Sequence, residues 1–267
     1  MIALTHAWNL SREPFSPDMP VDNLFPLPRL KPFAARFDYT ISLGGASVIT
    51  GEVGTGKSTS LRYAASRLHP SEYRLLSIIA TTGSMVELLR QICFAFGAPP
   101  LSSSSAKLYQ LVRELLLGVA EKKQVPVLII DEAHLLRTEV FAQMHLISQH
   151  LFDSRSLLPI VLAGQPILAD KLLYHPCRPF ASRVMGRTEL LALQLEDMKA
   201  YLRHHLEFAG ATKELLSEEA VLAIHQGSGG LLRRAGMLAR GALLAAAQEG
   251  CPVVSAEHVR LASSEIF

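Results

Sequence analysis

The sequence is poor in the features that mark several classes of protein, and cysteine is the first of them. Cys93, Cys177 and Cys251 are far apart and odd in number, which favours reduced thiols over a disulfide framework. None of them has metal-type spacing, and the ten histidines form no set typical of a zinc site. We therefore expect a fold that depends on neither disulfides nor zinc.

Long apolar runs and an excess of one charge are also missing. No run of 18 or more apolar residues occurs, so we expect no membrane span. The N-terminus lacks the charged-then-apolar pattern of an export signal, which together with the scarce cysteines favours a cytoplasmic protein. The net charge of +2 neither requires nor excludes a nucleic-acid partner.

What the sequence does contain is a glycine-rich motif between an apolar strand and a helix. It reads Gly51-Glu52-Val53-Gly54-Thr55-Gly56-Lys57-Ser58 and fits the phosphate-binding pattern G-x-x-x-x-G-K-[ST]. Such a turn points backbone N–H groups at phosphate oxygens, and the helix that starts at the lysine adds the positive end of its dipole. We expect Lys57 to neutralise the β- and γ-phosphates, Ser58 to hold Mg²⁺, and Thr59 to end the nucleotide-binding segment. The alternative is a glycine-rich turn without a ligand.

A second motif adds two carboxylates. The apolar strand at 127–130 ends in Asp131-Glu132. Downstream of a phosphate loop this pair is typical of nucleotide hydrolases, in which Asp131 would hold Mg²⁺ and Glu132 would polarise the attacking water. The alternative is a chance Asp-Glu pair. The letters DEAH that begin at Asp131 also occur in large helicases, but those enzymes need two tandem motor domains and this chain has room for one.

Further candidates for contact with the nucleotide follow the acid pair. Gln165 comes just after the fourth predicted strand, within reach of a γ-phosphate or of the attacking water, unless it is only a polar loop residue. Arg183 lies in a predominantly basic stretch before the fifth strand. An arginine there can act as a finger on the nucleotide of a neighbouring subunit, and Arg178 and Arg187 compete for that role.

Strands and helices alternate up to about residue 193. We predict strands at 46–50, 73–80, 127–130, 158–163 and 188–193, and a helix over roughly 138–152. This alternation predicts an α/β fold of the P-loop NTPase type, with a parallel five-stranded sheet sandwiched by helices. Ligands of such sheets bind at the carboxyl ends of the strands, where the phosphate loop, the acid pair and Gln165 all lie.

Three parts of the chain are expected. Residues 1–28, rich in proline, form an extended arm whose aromatic residues either pack or cover a nucleotide base. Residues 29–193 form the nucleotide-binding α/β domain, and residues 194–267 form a small all-helical lid. From the lid, Arg233 would reach the γ-phosphate, with Arg234 as its rival.

The motifs together resemble a family. The segments GEVGTGKST, VLIIDEAHLL, VLAGQP, SRV and SGGLLRR follow the order seen in AAA+ ATPases. They look most like the ExeA-type branch, which also holds the TniB-like and TnsC-like ATPases of transposons. The resemblance implies ATP and Mg²⁺ as cofactors. It also implies Gln165 as the strand-four sensor, Arg183 as the finger and Arg233 as the lid sensor. Leu232 and Gly236 depart from the family pattern, which often has Pro and Asn at these places.

The resemblance leaves two main cellular functions open. Secretion-pathway members add a membrane span and a cell-wall-binding domain, neither of which we find in these 267 residues, whereas transposon members are similar in length. We therefore expect a homo-oligomeric ring or filament that assembles on double-stranded DNA and presents target DNA to a transposase. Arg90 and Lys107 are candidate phosphate contacts. The alternatives are an ATPase for secretion-complex assembly that acts on protein, and a helicase-loader-like protein.

Overall fold

A parallel sheet carries the nucleotide-type motifs. The computed structural model describes residues 4–100, 102–151 and 154–265. Within them the five strands of the sheet are β1 (Ala46–Gly51), β2 (Tyr73–Ile79), β3 (Val125–Asp131), β4 (Ile160–Gly164) and β5 (Val184–Leu190). They lie in the order β2-β3-β4-β1-β5, and all pairs are parallel. The predicted parallel five-stranded sheet is confirmed.

The helices alternate with these strands and then follow one another without interruption after β5. They are α1 (Leu4–Ala7), α2 (Leu30–Leu43), α3 (Lys57–Ser66), α4 (Met85–Phe96), α5 (Ser105–Glu121), α6 (Thr138–Ser148), α7 (Ile167–Leu173), α8 (Arg178–Ala181), α9 (Leu195–Phe208), α10 (Glu218–Ser228), α11 (Leu232–Gln248) and α12 (Ala256–Glu265). A helix thus covers most crossovers between parallel strands, as the geometry of such connections requires.

Burial along each strand follows its place in the sheet. The central strands β1 and β4 are buried at every residue, and β3 is buried from Pro126 to Ile130. The sequences of β3 and β4 accordingly read as apolar runs, whereas β1 also buries Ser47 and Thr50. The edge strands β2 and β5 alternate between buried and exposed residues along part of their length. Central strands covered on both faces are therefore the easier ones to recognise in the sequence.

Alternate residues of the central strands enter two separate cores. Leu128 and Ile130 of β3 face the core that contains buried residues of α4, α5 and α6. Val127 and Ile129 face the opposite core, which α2 and α3 complete. This period of two places helices on both faces of the sheet and fixes the register of β3.

Two predicted elements have different bounds in the structure. The fifth strand was placed at 188–193, but β5 covers Val184–Leu190 and pairs with β1 from Ala46 onward. The first half of β5 is partly exposed and therefore lacks the regular apolar pattern by which a strand is recognised in the sequence, because an edge strand needs none there. The helix predicted over 138–152 ends at Ser148, because Gln149–His150 pairs instead with Arg155–Ser156 in a short hairpin.

The chain divides into two units. The α/β unit contains residues 29–51 and 57–190, and the helical unit contains the described residues of 1–28, 52–56 and 191–267. In the helical unit, Ser217 caps α10 by accepting a hydrogen bond from the Ala220 N–H at 3.1 Å. The N-terminal arm belongs to the same unit, and the Ser11 N–H donates to the Ala209 carbonyl at 2.8 Å. The predicted domain boundaries at 28/29 and 193/194 stay predictions.

Candidate functional site

Lys57 is the first residue of α3 and lies directly after the glycine-rich loop. Its Nζ donates to the Gly51 carbonyl at 2.8 Å, and only 8% of the residue is exposed. Taking an ammonium group out of water is costly unless polar or anionic partners replace the water. The N-terminus of α3, a helix of ten residues, favours anions at the same place. This end of α3 therefore suits a phosphate.

Two glycines of the loop adopt a backbone conformation that other residues rarely take. Gly54 has φ +90° and Gly56 has φ +94°. A Cβ at Gly56 would lie 2.9 Å from Leu27 Cδ1 and 3.1 Å from Leu232 Cδ1, both in the helical unit. Conformation and space thus both require glycine at position 56. Between the two glycines, the Thr55 hydroxyl donates to the Glu52 carbonyl at 2.8 Å and closes the turn.

Ser58 and Asp131, the two predicted magnesium ligands, lie side by side in the structure. The Ser58 hydroxyl donates to Asp131 Oδ2 at 3.2 Å, so a residue of α3 meets the carboxyl end of β3. Mg²⁺ prefers hard oxygen ligands at about 2.0–2.1 Å, and neighbouring ligands of such an octahedron lie about 3 Å apart. The spacing and chemistry of Ser58 and Asp131 therefore fit Mg²⁺.

Glu132 leaves β3 in a left-handed conformation, with φ 52°. Its N–H donates to Asp131 Oδ1 at 2.8 Å, which holds the two acids in fixed relation. Its side chain is 45% exposed, and Oε2 lies 3.3 Å from His134 Nδ1. A non-glycine residue in this region carries strain of about 1–3 kcal/mol, and such residues are concentrated at functional sites. The turn thus presents a hydrated carboxylate beside the candidate magnesium ligands.

His134 is a site residue that the sequence analysis did not identify. Its Nδ1 faces Glu132 Oε2 and also lies 3.4 Å from the backbone N–H of Gln165. One ring nitrogen cannot donate to the carboxylate and accept from the amide at once, so the proton on Nδ1 decides which contact forms. His134 therefore lies between Glu132 and the backbone of Gln165 and can contact either one. The DEAH spelling was the only sequence signal for this residue.

The arginines before β5 are placed differently from one another. Arg183 is half-buried and its guanidinium donates to the Pro179 carbonyl, whereas Arg178 and Arg187 are exposed. The Arg183 carbonyl also accepts from the Ala46 N–H at 2.9 Å, which fixes the chain at the start of β5. Arg183 therefore lies in a hydrogen-bonded turn, while its role as the arginine finger stays a prediction.

The lid arginine lies next to the loop within the helical unit. The Arg233 N–H donates to the Gly54 carbonyl at 3.3 Å, and a Cβ on Gly54 would lie 3.1 Å from that of Arg233. The side chains of Arg233 and Arg234 are both exposed. The backbone of Arg233 thus meets the loop, and the choice between Arg233 and Arg234 as the lid sensor of the γ-phosphate stays a prediction.

The aromatic residues of the arm pack on the helices of their own unit. Trp8 Nε1 donates to the Leu243 carbonyl at 3.0 Å. Phe15 stacks on His205 with ring centroids 5.2 Å apart, and Phe25 meets the edge of Tyr201 at 5.7 Å. The structure thus shows these aromatic residues packed on their own unit, and cover of a nucleotide base by the arm stays a prediction. Burial, with a smaller contribution from His204, lowers the pKa of His205 from 6.5 to about 4.

Comparison with known proteins relates the chain to AAA domains and to a secretion-pathway protein. A sequence model described as an AAA domain matches residues 41–172. General secretion pathway protein A of Aeromonas hydrophila is 32% identical over 264 residues, which is 98% of this chain and 48% of that protein. The chain thus spans about half the length of this relative.

Solved structures share the fold. Cdc6p from Pyrobaculum aerophilum superimposes with a TM-score of 0.75 at 18% identity, over 95% of this chain and 70% of that one. The Aeropyrum pernix ORC1 protein, solved in complex with DNA, gives 0.70 at 19% identity, over 94% and 68% of the two chains. Among the described residues, every helix is too short or too polar to cross a bilayer.

Proposed function

We propose that this chain, an AAA-type P-loop NTPase, binds ATP with Mg²⁺ and hydrolyses it. The observation that carries the proposal is the Ser58–Asp131 pair, 3.2 Å apart at the end of β3 and directly after the phosphate loop. Ser58 and Asp131 would hold the ion, and Lys57 would neutralise the β- and γ-phosphates. Held by these residues, Mg²⁺ would supply charge neutralisation of the phosphate oxygens.

Glu132 is assigned the role of orienting and polarising the attacking water. Its carboxylate is hydrated and is held by the turn that Asp131 stabilises. When His134 Nδ1 carries the ring proton, it can donate to Glu132 Oε2; when Nδ1 accepts from the Gln165 N–H, this hydrogen bond to the carboxylate is absent. General-base assistance of this kind contributes about 10²–10⁴ in rate.

The test of this assignment is Glu132→Gln. We expect the variant to bind ATP like the wild type and to release phosphate at least about 10² times more slowly, because the amide cannot take the proton. Phosphate release and equilibrium nucleotide binding are measured on the same preparations. Glu139→Gln, an exposed acid in the first turn of α6, is the matched control and should keep wild-type turnover. Wild-type turnover in Glu132→Gln would remove Glu132 from this role.

For the cellular task, we propose ATP-driven assembly of a secretion complex through contacts with protein. The support is the relative named General secretion pathway protein A, which is similar over 98% of this chain. The sequence left this task open beside transposition. The transposition role, with double-stranded DNA and a transposase as partners, stays a prediction. A homo-oligomer and a cytoplasmic location stay predictions as well.

One experiment separates the two tasks. The Glu132→Gln variant, held in its ATP state, is examined by sedimentation and by electrophoretic retention of a DNA duplex at low salt. Oligomers that form with ATP alone and leave the duplex unretained support the protein-directed role. Retention that requires ATP supports transposition, and in that case Arg90→Ala and Lys107→Ala should each lower the salt slope by about one.

A further inference from the structure

A cluster of three potential metal ligands lies where α11 joins α12 in the helical unit. Glu249, Cys251 and His258 place a carboxylate oxygen, Sγ and an imidazole nitrogen within 4.8 Å of one another. Glu249 is exposed, Cys251 is intermediate and His258 is buried. Of the residues that the structure describes, no other three histidines, cysteines or acids meet in this way.

The end of α11 fixes the first two side chains. Gly250 adopts φ +70°, and the Cys251 N–H donates back to the Ala246 carbonyl at 2.9 Å. A left-handed residue, followed by a backbone hydrogen bond that spans five residues along the chain, commonly ends a helix. The turn determines the directions of Glu249 and Cys251 without any metal.

The start of α12 fixes the third side chain. His258 is 4% exposed, its Nε2 lies 3.0 Å from Glu249 Oε2, and its Nδ1 accepts from the Ser255 N–H at 2.9 Å. The Ser255 hydroxyl lies 3.0 Å from the same Nδ1. A metal-binding histidine usually donates its second ring N–H to an acceptor, and of the two groups at Nδ1 the Ser255 hydroxyl can accept.

The two helices are held close together. A Cβ at Gly241 of α11 would lie 2.8 Å from the Cβ of Ala262 in α12, so the backbones meet without an intervening side chain. Close packing of this kind leaves the loop between the helices little freedom. The three ligand groups are therefore brought together by the rigid parts of the unit.

We propose that Glu249, Cys251 and His258 bind a zinc ion. Thiolate, imidazole and carboxylate are the ligands that zinc takes in proteins, and three of them leave a fourth tetrahedral position for water or for a group from another molecule. The thiolate and the carboxylate together neutralise the charge of Zn²⁺. Magnesium is disfavoured at these residues because it avoids sulfur ligands.

Binding has a definite proton balance. The Cys251 thiol loses its proton to solvent as the Zn–S bond forms. The imidazole stays neutral: its proton moves from Nε2, which then binds zinc, to Nδ1, where the Ser255 hydroxyl accepts it. The hydrogen bond from the Ser255 N–H is lost in exchange. Metal binding therefore competes with the backbone capping that His258 provides at the start of α12.

The experiment titrates Co²⁺, and then Zn²⁺, into the full chain under reducing conditions. We expect one Co²⁺ per chain with a thiolate-to-cobalt charge-transfer band, which Zn²⁺ abolishes by displacement. Cobalt bound at the oxygen ligands Ser58 and Asp131 would lack this band, so failure of the zinc proposal and failure of the ATPase proposal are distinguishable. A chain that gives no such band overturns the zinc site.

Variants then assign the ligands. Cys251→Ser should abolish the band and weaken zinc binding by more than the 10–100-fold that outer-shell partners are worth, while Ser255→Ala should weaken it by about that amount. Glu257→Gln removes a nearby exposed acid that pairs with Arg260 and should leave binding unchanged. Circular dichroism checks that each variant is folded. A band that survives in Cys251→Ser, or is lost equally in Glu257→Gln, also overturns the site.

Discussion

The hydroxyl of Ser58 is the smallest group on which the proposed magnesium site depends, and it can be removed alone. Ser58→Ala takes away one oxygen ligand and leaves Asp131 facing the ion without its neighbour. We expect the apparent Mg²⁺ affinity in ATP hydrolysis to fall at least about tenfold, since even the loss of outer-shell partners costs 10–100-fold. The measurement is turnover against Mg²⁺ concentration.

The control for this change lies two residues further along α3. The hydroxyl of Ser60 is buried without a hydrogen-bond partner in the described structure. Ser60→Ala removes an unsatisfied polar group and should leave the Mg²⁺ dependence unaltered. If both variants respond alike, the magnesium role of Ser58 is wrong and the effect comes from α3 as a whole.

Gly56 tests the loop in a different way, through its backbone. Gly56→Ala forces a side chain into φ +94° and against Leu27 and Leu232. Residues held in such a conformation cost about 1–3 kcal/mol. We expect equilibrium binding of ATP to weaken at least about tenfold because the loop relaxes to another shape.

Gly118→Ala is the matched control for the loop glycine. Gly118 lies within α5, and a Cβ there meets nothing within 4 Å. Alanine is a better helix former than glycine, so this variant should bind ATP normally and gain up to about 1 kcal/mol in stability. Normal ATP binding in Gly56→Ala would show that the loop tolerates a side chain.

At the scale of the element, α9 carries a pH-dependent contact with the arm through His205. Burial keeps the pKa of His205 at about 4 in the folded state, below its ordinary 6.5. The unfolded chain therefore binds more protons between these values, and stability falls as the pH drops from about 6.5 to about 4. The full effect is about 3 kcal/mol, because each pKa unit corresponds to 1.36 kcal/mol.

Urea unfolding at pH 7 and pH 5 measures this effect. His205→Phe keeps an aromatic ring against Phe15 and cannot be protonated. We expect the wild type to lose about 2 kcal/mol more than the variant between the two pH values. Equal losses would mean that His205 is not the group that titrates.

The elements differ in how far the sequence reveals them. The central strand β3 is a continuous apolar run, and its place and the acids at its end were predicted correctly. The edge strand β5 begins four residues before its predicted start, because Val184 to Arg187 are stabilised by pairing with β1 rather than by an apolar pattern. The pattern of apolar side chains along a strand follows the burial of that strand, so a partly exposed strand shows only a weak pattern.

At the scale of the whole molecule, a homo-oligomer is predicted, and Arg183 is the residue predicted to act between its subunits. Arg183 lies in a hydrogen-bonded turn beside Pro179, and we expect Arg183→Ala to bind ATP normally and to hydrolyse it about 10³-fold or more slowly. Mixing it with Glu132→Gln tests where the arginine acts. If the finger reaches a neighbouring subunit, mixed oligomers recover activity, because some interfaces then hold an intact Arg183 and an intact Glu132.

The control for the mixing experiment is Arg187→Ala, an exposed neighbour on β5, which should keep most of its activity. No recovery at any mixing ratio would place Arg183 on its own nucleotide or outside catalysis. Loss of activity in Arg187→Ala instead of Arg183→Ala would move the finger to β5.

Functional sites, like strands, differ in how far they can be predicted from the sequence. The phosphate loop is contiguous, so its chemistry can be predicted from a short stretch of sequence. His134 and the cluster of Glu249, Cys251 and His258 depend on the fold: the first needs the β4 end beside it, and the second needs a helix end and a helix start brought together. Spacing along the chain gave no metal pattern for these residues, because the turn at Gly250 creates their proximity.

The central claim is that a magnesium-bound adenine nucleotide occupies the loop at residues 51–58. Calorimetric titration of ATP with Mg²⁺ into the folded chain tests it most directly, with Lys57→Ala as the comparison. We predict saturable binding of one nucleotide per chain in the wild type and its loss in the variant, which lacks the ammonium held at Gly51. Absence of binding to the folded wild type, or equal binding in Lys57→Ala, would contradict it.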